Sequence, residues 1–141
     1  TMVANQTIDR LNEHRPACVN SLGGSVVGVD PDNNSASMAF TIGPEFCHSG
    51  NIVQGGFVAA MLDAAMSHTV FGCIDNVGSL ASLELKISYL APSLTGTYTA
   101  TGQIVKAGKS IAFLQGKLFA SDGTLTATAS STAKISLLAQ D

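Results

Sequence analysis

The sequence predicts an α+β fold in which one curved antiparallel sheet wraps around a single long central helix. The first observation is a segment at 55–72 that is apolar or small on almost every face, so the helix it predicts must be enclosed by other structure. Its exceptions are Asp63, Ser67 and His68. The second observation is that strand-like segments precede and follow this helix. With only one substantial helix, the repeated strand–helix alternation of a doubly wound sheet is missing.

The elements in the first half of the chain can be placed from turn signals and apolar spacing. In chain order we expect a short helix at about 5–14, strands near 24–30 and 35–42, and an irregular segment at 43–51. The central helix is expected at about 55–71, because Gly72 is suited to end it. All 141 residues are expected to form one domain.

The second half of the chain alternates between apolar and polar residues with a period of two. Leu83, Leu85, Ile87 and Tyr89 alternate with polar residues until Pro92, which places Ser82 on the polar face. Tight turns at 107–108 and 122–123 separate the later strands. We expect a four-strand antiparallel meander, whose small residues in 125–133 let the helix pack closely against it.

Composition narrows the function classes. The net charge is −3, 12% of residues are charged, and no run of Lys or Arg appears, which argues against nucleic acid as a partner. No segment is expected to span a membrane, because Asp63 and His68 interrupt the longest apolar stretch. The N-terminus lacks a secretory signal and the three cysteines form no framework, so a cytoplasmic protein is expected. So few charges also suggest a surface hidden in a homo-oligomer.

Two blocks of sequence point to a family. The block 48–56, followed by 59–66, resembles the active-site segment of hot-dog-fold acyl-CoA thioesterases, and most closely their PaaI-like branch related to phenylacetate degradation. The segment 88–92 resembles that family's strand-end motif, an aromatic and an apolar residue shortly before a proline. The most specific element is the Gly55-Gly56 pair with Asp63 eight residues after the first glycine.

The resemblance implies a hot-dog homodimer, often paired into a homotetramer, that hydrolyses acyl-CoA thioesters without a metal or redox cofactor. It assigns the catalytic carboxylate to Asp63 and a backbone N–H donor for the thioester carbonyl to Gly55. Ser82 falls where some members place a hydroxyl that orients the attacking water. The chain departs from the family at Gln54, where histidine is frequent, and at His48, where asparagine is frequent.

Each candidate residue also has a simpler structural interpretation. Asp63 could be a structural carboxylate bonded to backbone donors or to His68, and the glycine pair could serve helix packing. Ser82 could be a solvent-exposed strand residue, and Gln54 could cap the helix or line the site. The residues assigned to substrate binding are His48, Asn51 and Gly56, with Lys106 and Lys109 either contacting CoA phosphates or simply solvated.

The chemistry is consistent with this assignment and constrains it. A thioester carbonyl gains negative charge as it is attacked, and N–H groups at a helix N-terminus are preorganised donors for it. A desolvated Asp63 could activate water or attack the carbonyl directly. Eight helical residues separate Gly55 from Asp63 by about 12 Å. Both groups cannot reach one carbonyl from the same helix, so the site must be shared between subunits.

Two other functions use the same fold. A non-catalytic acyl-CoA-binding protein would hold the ligand in this pocket without releasing a thiol, and fold alone does not separate it from an enzyme. A hot-dog hydratase or dehydratase would carry a different Asp/His pattern, which the sequence does not contain. The acyl group and the choice between dimer and tetramer stay open.

Overall fold

A computed structural model describes residues 2–139. The helices are α1 (Met2–Glu13), α2 (Ala17–Ser21) and α3 (Gly55–Cys73). The strands are β1 (Ser25–Asp30), β2 (Ser35–Ile42), β3 (Cys47–Ser49), β4 (Ile52–Val53), β5 (Val77–Tyr89), β6 (Gly96–Ala107), β7 (Ile111–Ala120) and β8 (Leu125–Leu137). Six strands form one antiparallel sheet in the order β1-β2-β6-β7-β8-β5, while β3 and β4 form a separate hairpin. The predicted architecture, a hot-dog fold with the sheet packed on one long helix, is confirmed.

The predicted four-strand meander is wrong in its first strand. Strand β5 does not pair with β6; it crosses to the far edge of the sheet and pairs with β8. The connecting segment 90–95 is anchored along the way, because the N–H groups of Leu90 and Ala91 both donate to the carbonyl of Thr126. Alternation of apolar residues shows which face of a strand is buried but not which strand lies beside it. The sequence also gave no sign of α2, or of the β3–β4 hairpin within the segment predicted to be irregular.

Small residues in the sheet allow α3 to lie close to it, as expected for β8. Ala127, Ala129 and Ala133 are buried beneath the helix. Gly102, in β6, has the same role. A methyl group at Gly102 would lie 2.6 Å from the carbonyl oxygen of Ala65, so any side chain there would push α3 outward.

Strand β5 contains a β-bulge, and the side chains before the bulge therefore point to the opposite face from the one that simple alternation predicts. Ser82 pairs with Ala133 and Glu84 with Thr132, which leaves Leu83 as the extra residue. A bulge shifts the alternation by one residue. Ser82 is therefore turned toward α3, and its predicted place on the polar face is wrong. Since Ile87 pairs with the buried Ala129, the side of β5 that faces the helix carries both Ser82 and Ile87.

Helix α3 is the one described helix that is long and apolar enough to cross a membrane by length and composition. In this fold it is the core helix. Met61, Leu62, Ala65 and Met66 are completely buried between the helix and the sheet. Its apolar character on almost every face is thus matched by an enclosing sheet, as the sequence predicts.

His68 gives the core a pH-sensitive element. Its side chain is 8% exposed, and Nδ1 lies 2.7 Å from the carbonyl oxygen of Ala64. Burial lowers the pKa of His68, and the hydrogen bond to Ala64 only partly opposes this. The folded protein therefore takes up a proton at this site at lower pH than the unfolded chain.

We expect the free energy of unfolding to decrease as pH falls below about 6.5, the ordinary histidine value, because the unfolded chain then binds a proton that folded His68 does not. Denaturant unfolding between pH 7.5 and pH 5 measures this. The variant His68→Gln should lose that part of the pH dependence, whereas His14→Gln, at an exposed position, should retain it. An unchanged pH dependence in His68→Gln would contradict the assignment.

Candidate active site

The N-terminus of α3 presents two backbone donors without acceptors. The carbonyl of Gln54, the N-cap residue, accepts the N–H groups of Phe57 at 3.0 Å and Val58 at 3.3 Å. Within residues 2–139, the N–H groups of Gly55 and Gly56 have no hydrogen-bond acceptor. Gln54 thus occupies the capping position, as one of its two predicted interpretations has it, although its side chain makes no capping hydrogen bond. Free N–H groups at the positive end of a 19-residue helix favour a negatively charged oxygen.

Tyr89, the last residue of β5, lies directly against this turn. Its hydroxyl donates a hydrogen bond to the carbonyl oxygen of Gly55 at 2.7 Å. A methyl group at residue 55 would lie 2.9 Å from the tyrosine oxygen, whereas one at Gly56 would meet nothing within 4 Å. The two glycines therefore differ: Gly55 is required by a neighbouring side chain, and Gly56 leaves open space in front of the helix.

A mostly apolar cleft of about 400 Å³ opens beside Gly55. Its lining includes Val58, Leu90 and Pro92, together with Tyr89 and His48. His48 is exposed, and its Nδ1 lies 2.8 Å from the hydroxyl of Ser49. The cleft thus brings predicted residue His48 together with Gly55, in a position where an apolar group could lie next to the free N–H donors.

Asp63 lies two turns further along α3 and is held by a side chain of β5. The hydroxyl of Ser82 donates to Oδ1 of Asp63 at 2.9 Å. The alternatives of a bond to backbone donors or to His68 are wrong, because Ser82 is the partner and His68 bonds to Ala64. Asp63 is only half-buried and Ser82 is exposed, which corrects the expectation of a carboxylate desolvated inside the fold. The pair lies beside the free edge of the sheet.

The other predicted residues lie outside this cleft. Asn51 is in the β3–β4 turn with its side chain exposed, and its carbonyl accepts the N–H of Thr95 at 3.1 Å. Lys106 and Lys109 are exposed at the β6–β7 turn. Strand pairing connects Ala107 through β7 and β8 to Ser82, so these lysines lie at the Asp63 end of the sheet rather than at Gly55. Among residues 2–139, no three His, Cys, Asp or Glu side chains form a metal-binding group.

Sequence reasoning missed the contact between Tyr89 and Gly55. The alternating pattern and Pro92 identify Tyr89 as a residue near a strand end. They do not show that β5 crosses to the outer edge and returns beside the first turn of α3. That contact depends on strand order, which local patterns do not encode.

The enclosed helix, its free N-terminal donors and the Asp63–Ser82 pair together define a protein of the hot-dog thioesterase class. The chain belongs to the thioesterase superfamily, whose family model matches residues 50–127. That match covers α3, β5, β6 and β7, including Gly55, Asp63, Ser82 and Tyr89, and begins two residues after His48.

Solved structures and one curated relative agree with this membership. A phenylacetic acid degradation-related protein from Ralstonia eutropha superposes with a TM-score of 0.83 at 27% identity, covering 91% of this chain and 98% of that one. Escherichia coli PaaI gives a TM-score of 0.83 at 18% identity, with 98% of each chain covered, and shows the same fold. A protein of Saccharolobus solfataricus that carries the name "Putative esterase" is 28% identical over 88 residues. The match spans 60% of that relative's length.

Proposed function

We propose that this protein is an acyl-CoA thioesterase that uses water to cleave the thioester into a free acid and CoA. The observation that carries the proposal is the pair of groups on α3: two free N–H donors at its first turn and a hydroxyl-bonded carboxylate at Asp63. Attack on a thioester carbonyl requires a donor for the developing oxyanion and a base or nucleophile on the other side. This helix carries both kinds of group.

In the proposed reaction, the Gly55 N–H donates to the carbonyl oxygen while Asp63 removes a proton from the attacking water. Ser82 donates to Oδ1 of Asp63, which leaves the second carboxylate oxygen free to accept that proton. The tetrahedral intermediate then collapses, the C–S bond breaks, and the CoA thiolate leaves and takes up the proton that Asp63 removed from water, which restores the carboxylate. We favour water activation over direct attack by Asp63 because Ser82 orients the carboxylate without blocking its second oxygen.

The two halves of this site belong to different subunits in our proposal. About 12 Å of helix axis separates Gly55 from Asp63, too far for both to reach one carbonyl. Strand β5 has a free edge, with Leu83 60% and Tyr89 55% exposed. An unpaired edge carrying apolar side chains favours pairing with a second copy.

The positions of the two contacts along β5 support a twofold arrangement. Tyr89 contacts Gly55 and Ser82 contacts Asp63; because Leu83 is the extra residue of the bulge, the midpoint between the two contacts falls at Lys86. If two copies of β5 pair antiparallel about that midpoint, Tyr89 of one copy lies opposite Ser82 of the other. Gly55 of one subunit would then face Asp63 of its partner across one cleft.

The cleft lining indicates the kind of acyl group. Val58, Leu90 and Pro92 favour an apolar group, and His48 adds one polar contact near its opening. We assign supporting contacts to Gly56, Gln54 and Asn51, on the exposed rim formed by the helix N-terminus and the β3–β4 turn. Lys106 and Lys109 could reach CoA phosphates only from the Asp63 end of the sheet.

Free-thiol release from a panel of short-chain, medium-chain and arylacetyl-CoA thioesters tests the proposal. We expect turnover on at least one apolar acyl-CoA and identification of the preferred acyl class from the relative kcat/KM values. Tight binding of acyl-CoA, measured calorimetrically, with no thiol release would contradict it and identify an acyl-CoA-binding protein instead.

A further inference from the structure

We propose that Tyr89 is a positioning residue: its hydroxyl holds the Gly55–Gly56 peptide group, and with it the first turn of α3, so that the free N–H groups of Gly55 and Gly56 point at the substrate carbonyl. This inference rests on the proposed function, because it concerns the donor half of that site. The presence of Gly55 and Asp63 is not sufficient for the proposed reaction. The donor must be held in place from outside the helix.

The first observation is that no side chain within the helix caps the turn. The N-cap side chain of Gln54 makes no hydrogen bond to the turn, and Gly55 and Gly56 are consecutive glycines, the least restricted residue type. Helix ends fray when their first N–H groups have no partner. The bonds from Phe57 and Val58 to the Gln54 carbonyl hold the Gln54–Gly55 peptide group, so the Gly55–Gly56 peptide group, which carries the second free N–H, is the one that an outside contact reaches.

The second observation is that Tyr89 supplies the missing restraint from a rigid element. Its hydroxyl bonds the Gly55 carbonyl at 2.7 Å, and its ring occupies the space that a Cβ at residue 55 would need. The base of the side chain is fixed, because Tyr89 pairs with Ala127 in β8 and the next N–H, of Leu90, donates to Thr126. The hydroxyl therefore holds the helix N-terminus in a fixed position relative to the sheet.

The third observation is that β5 holds the carboxylate as well as the donor. Ser82, seven residues before Tyr89 on the same strand, bonds Asp63. One strand thus fixes both reacting groups of the proposed site, each through a single hydroxyl. Preorganised donors and bases contribute to the transition state because they need no rearrangement during the reaction.

The variant Tyr89→Phe removes one oxygen atom and tests this role. We expect kcat for the best acyl-CoA of the panel to fall about tenfold or more, since small misplacements of reacting groups reduce rate strongly. KM should stay within about twofold, because the ring that lines the cleft is unchanged and only a transition-state contact weakens. The melting temperature should change little, because one hydroxyl is lost while the ring keeps its packing against Gly55.

Tyr98→Phe is a matched control, since the Tyr98 hydroxyl also donates to a backbone carbonyl, that of Leu94 at 2.6 Å. Tyr98 is 4% exposed and makes no contact with α3's first turn through this hydroxyl. This control should lower the melting temperature and leave kcat within about twofold, the reverse of Tyr89→Phe.

Three results would overturn the inference. Wild-type kcat in Tyr89→Phe would show that the hydroxyl is not needed. A rise in KM with unchanged kcat would make Tyr89 a substrate contact, and a loss of kcat only in proportion to unfolded protein would make it structural. If the wild-type protein releases no thiol from any thioester, the proposed function fails and this inference fails with it; activity that Asp63→Asn abolishes and Tyr89→Phe does not alter removes the inference alone.

Discussion

Asp63→Asn is expected to reduce kcat for thioester hydrolysis by about 100- to 10,000-fold, the range lost when a general base is removed. Asparagine has nearly the same shape and its amide oxygen can still accept the hydrogen bond that Ser82 donates to Oδ1. It cannot take a proton from water. Steady-state thiol release by the purified variant measures the effect, with circular dichroism to show that the fold is retained.

Two further variants test whether the loss of activity is specific to the Asp63 carboxylate. Ser82→Ala keeps the carboxylate and removes only its donor, so we expect a smaller loss, about tenfold. Asp75→Asn removes an exposed carboxylate just after α3 and should leave kcat unchanged, because Asp75 lies at the opposite end of the helix from Gly55. Wild-type turnover in Asp63→Asn would exclude Asp63 from the chemistry.

Gly55→Ala is the second substitution with a large expected effect. Its methyl group would lie 2.9 Å from the Tyr89 oxygen, so the tyrosine must move and its bond to the Gly55 carbonyl is disturbed. The methyl group also occupies the approach of the substrate to the N–H. We expect kcat/KM to fall about 100-fold or more, the range seen when one oxyanion donor is lost.

Gly56→Ala separates this effect from helix propensity. Both substitutions replace glycine by alanine in the first turn, a change that stabilises a helix by about 0.5–1 kcal/mol. At Gly56 the new methyl group meets nothing within 4 Å, so thermal unfolding should show the full gain in stability. At Gly55 the displaced Tyr89 should offset that gain. Equal stabilisation by both variants would contradict the steric role of Tyr89.

The sequence was sufficient to predict features that depend on local pattern. The apolar segment at 55–72 indicated an enclosed helix, and α3 is enclosed by the sheet. The small residues of 125–133 indicated close packing, and Ala127, Ala129 and Ala133 lie buried beneath α3. These features follow from side-chain size and period, which can be read without knowing the neighbouring strands.

The features that could not be predicted depend on contacts between distant parts of the chain. The bulge at Leu83 turns Ser82 toward Asp63, yet 82–89 reads as an uninterrupted alternation. The crossing of β5 to the sheet edge brings Tyr89 to Gly55, a contact 34 residues apart in sequence. The resemblance at 48–66 identified which residues to consider, but not how β5 connects the donor half of the site to the carboxylate half.

The measurement that tests the shared site most directly uses a heterodimer of two defective subunits. Gly55→Ala and Asp63→Asn subunits, each inactive as a homodimer, are co-expressed with different affinity tags, and the mixed dimer is purified through both. One of its two sites then combines an intact Gly55 with an intact Asp63, so we expect about half of the wild-type activity per dimer. A mixed dimer no more active than its parents would place Gly55 and Asp63 of one reaction in the same subunit and contradict the account.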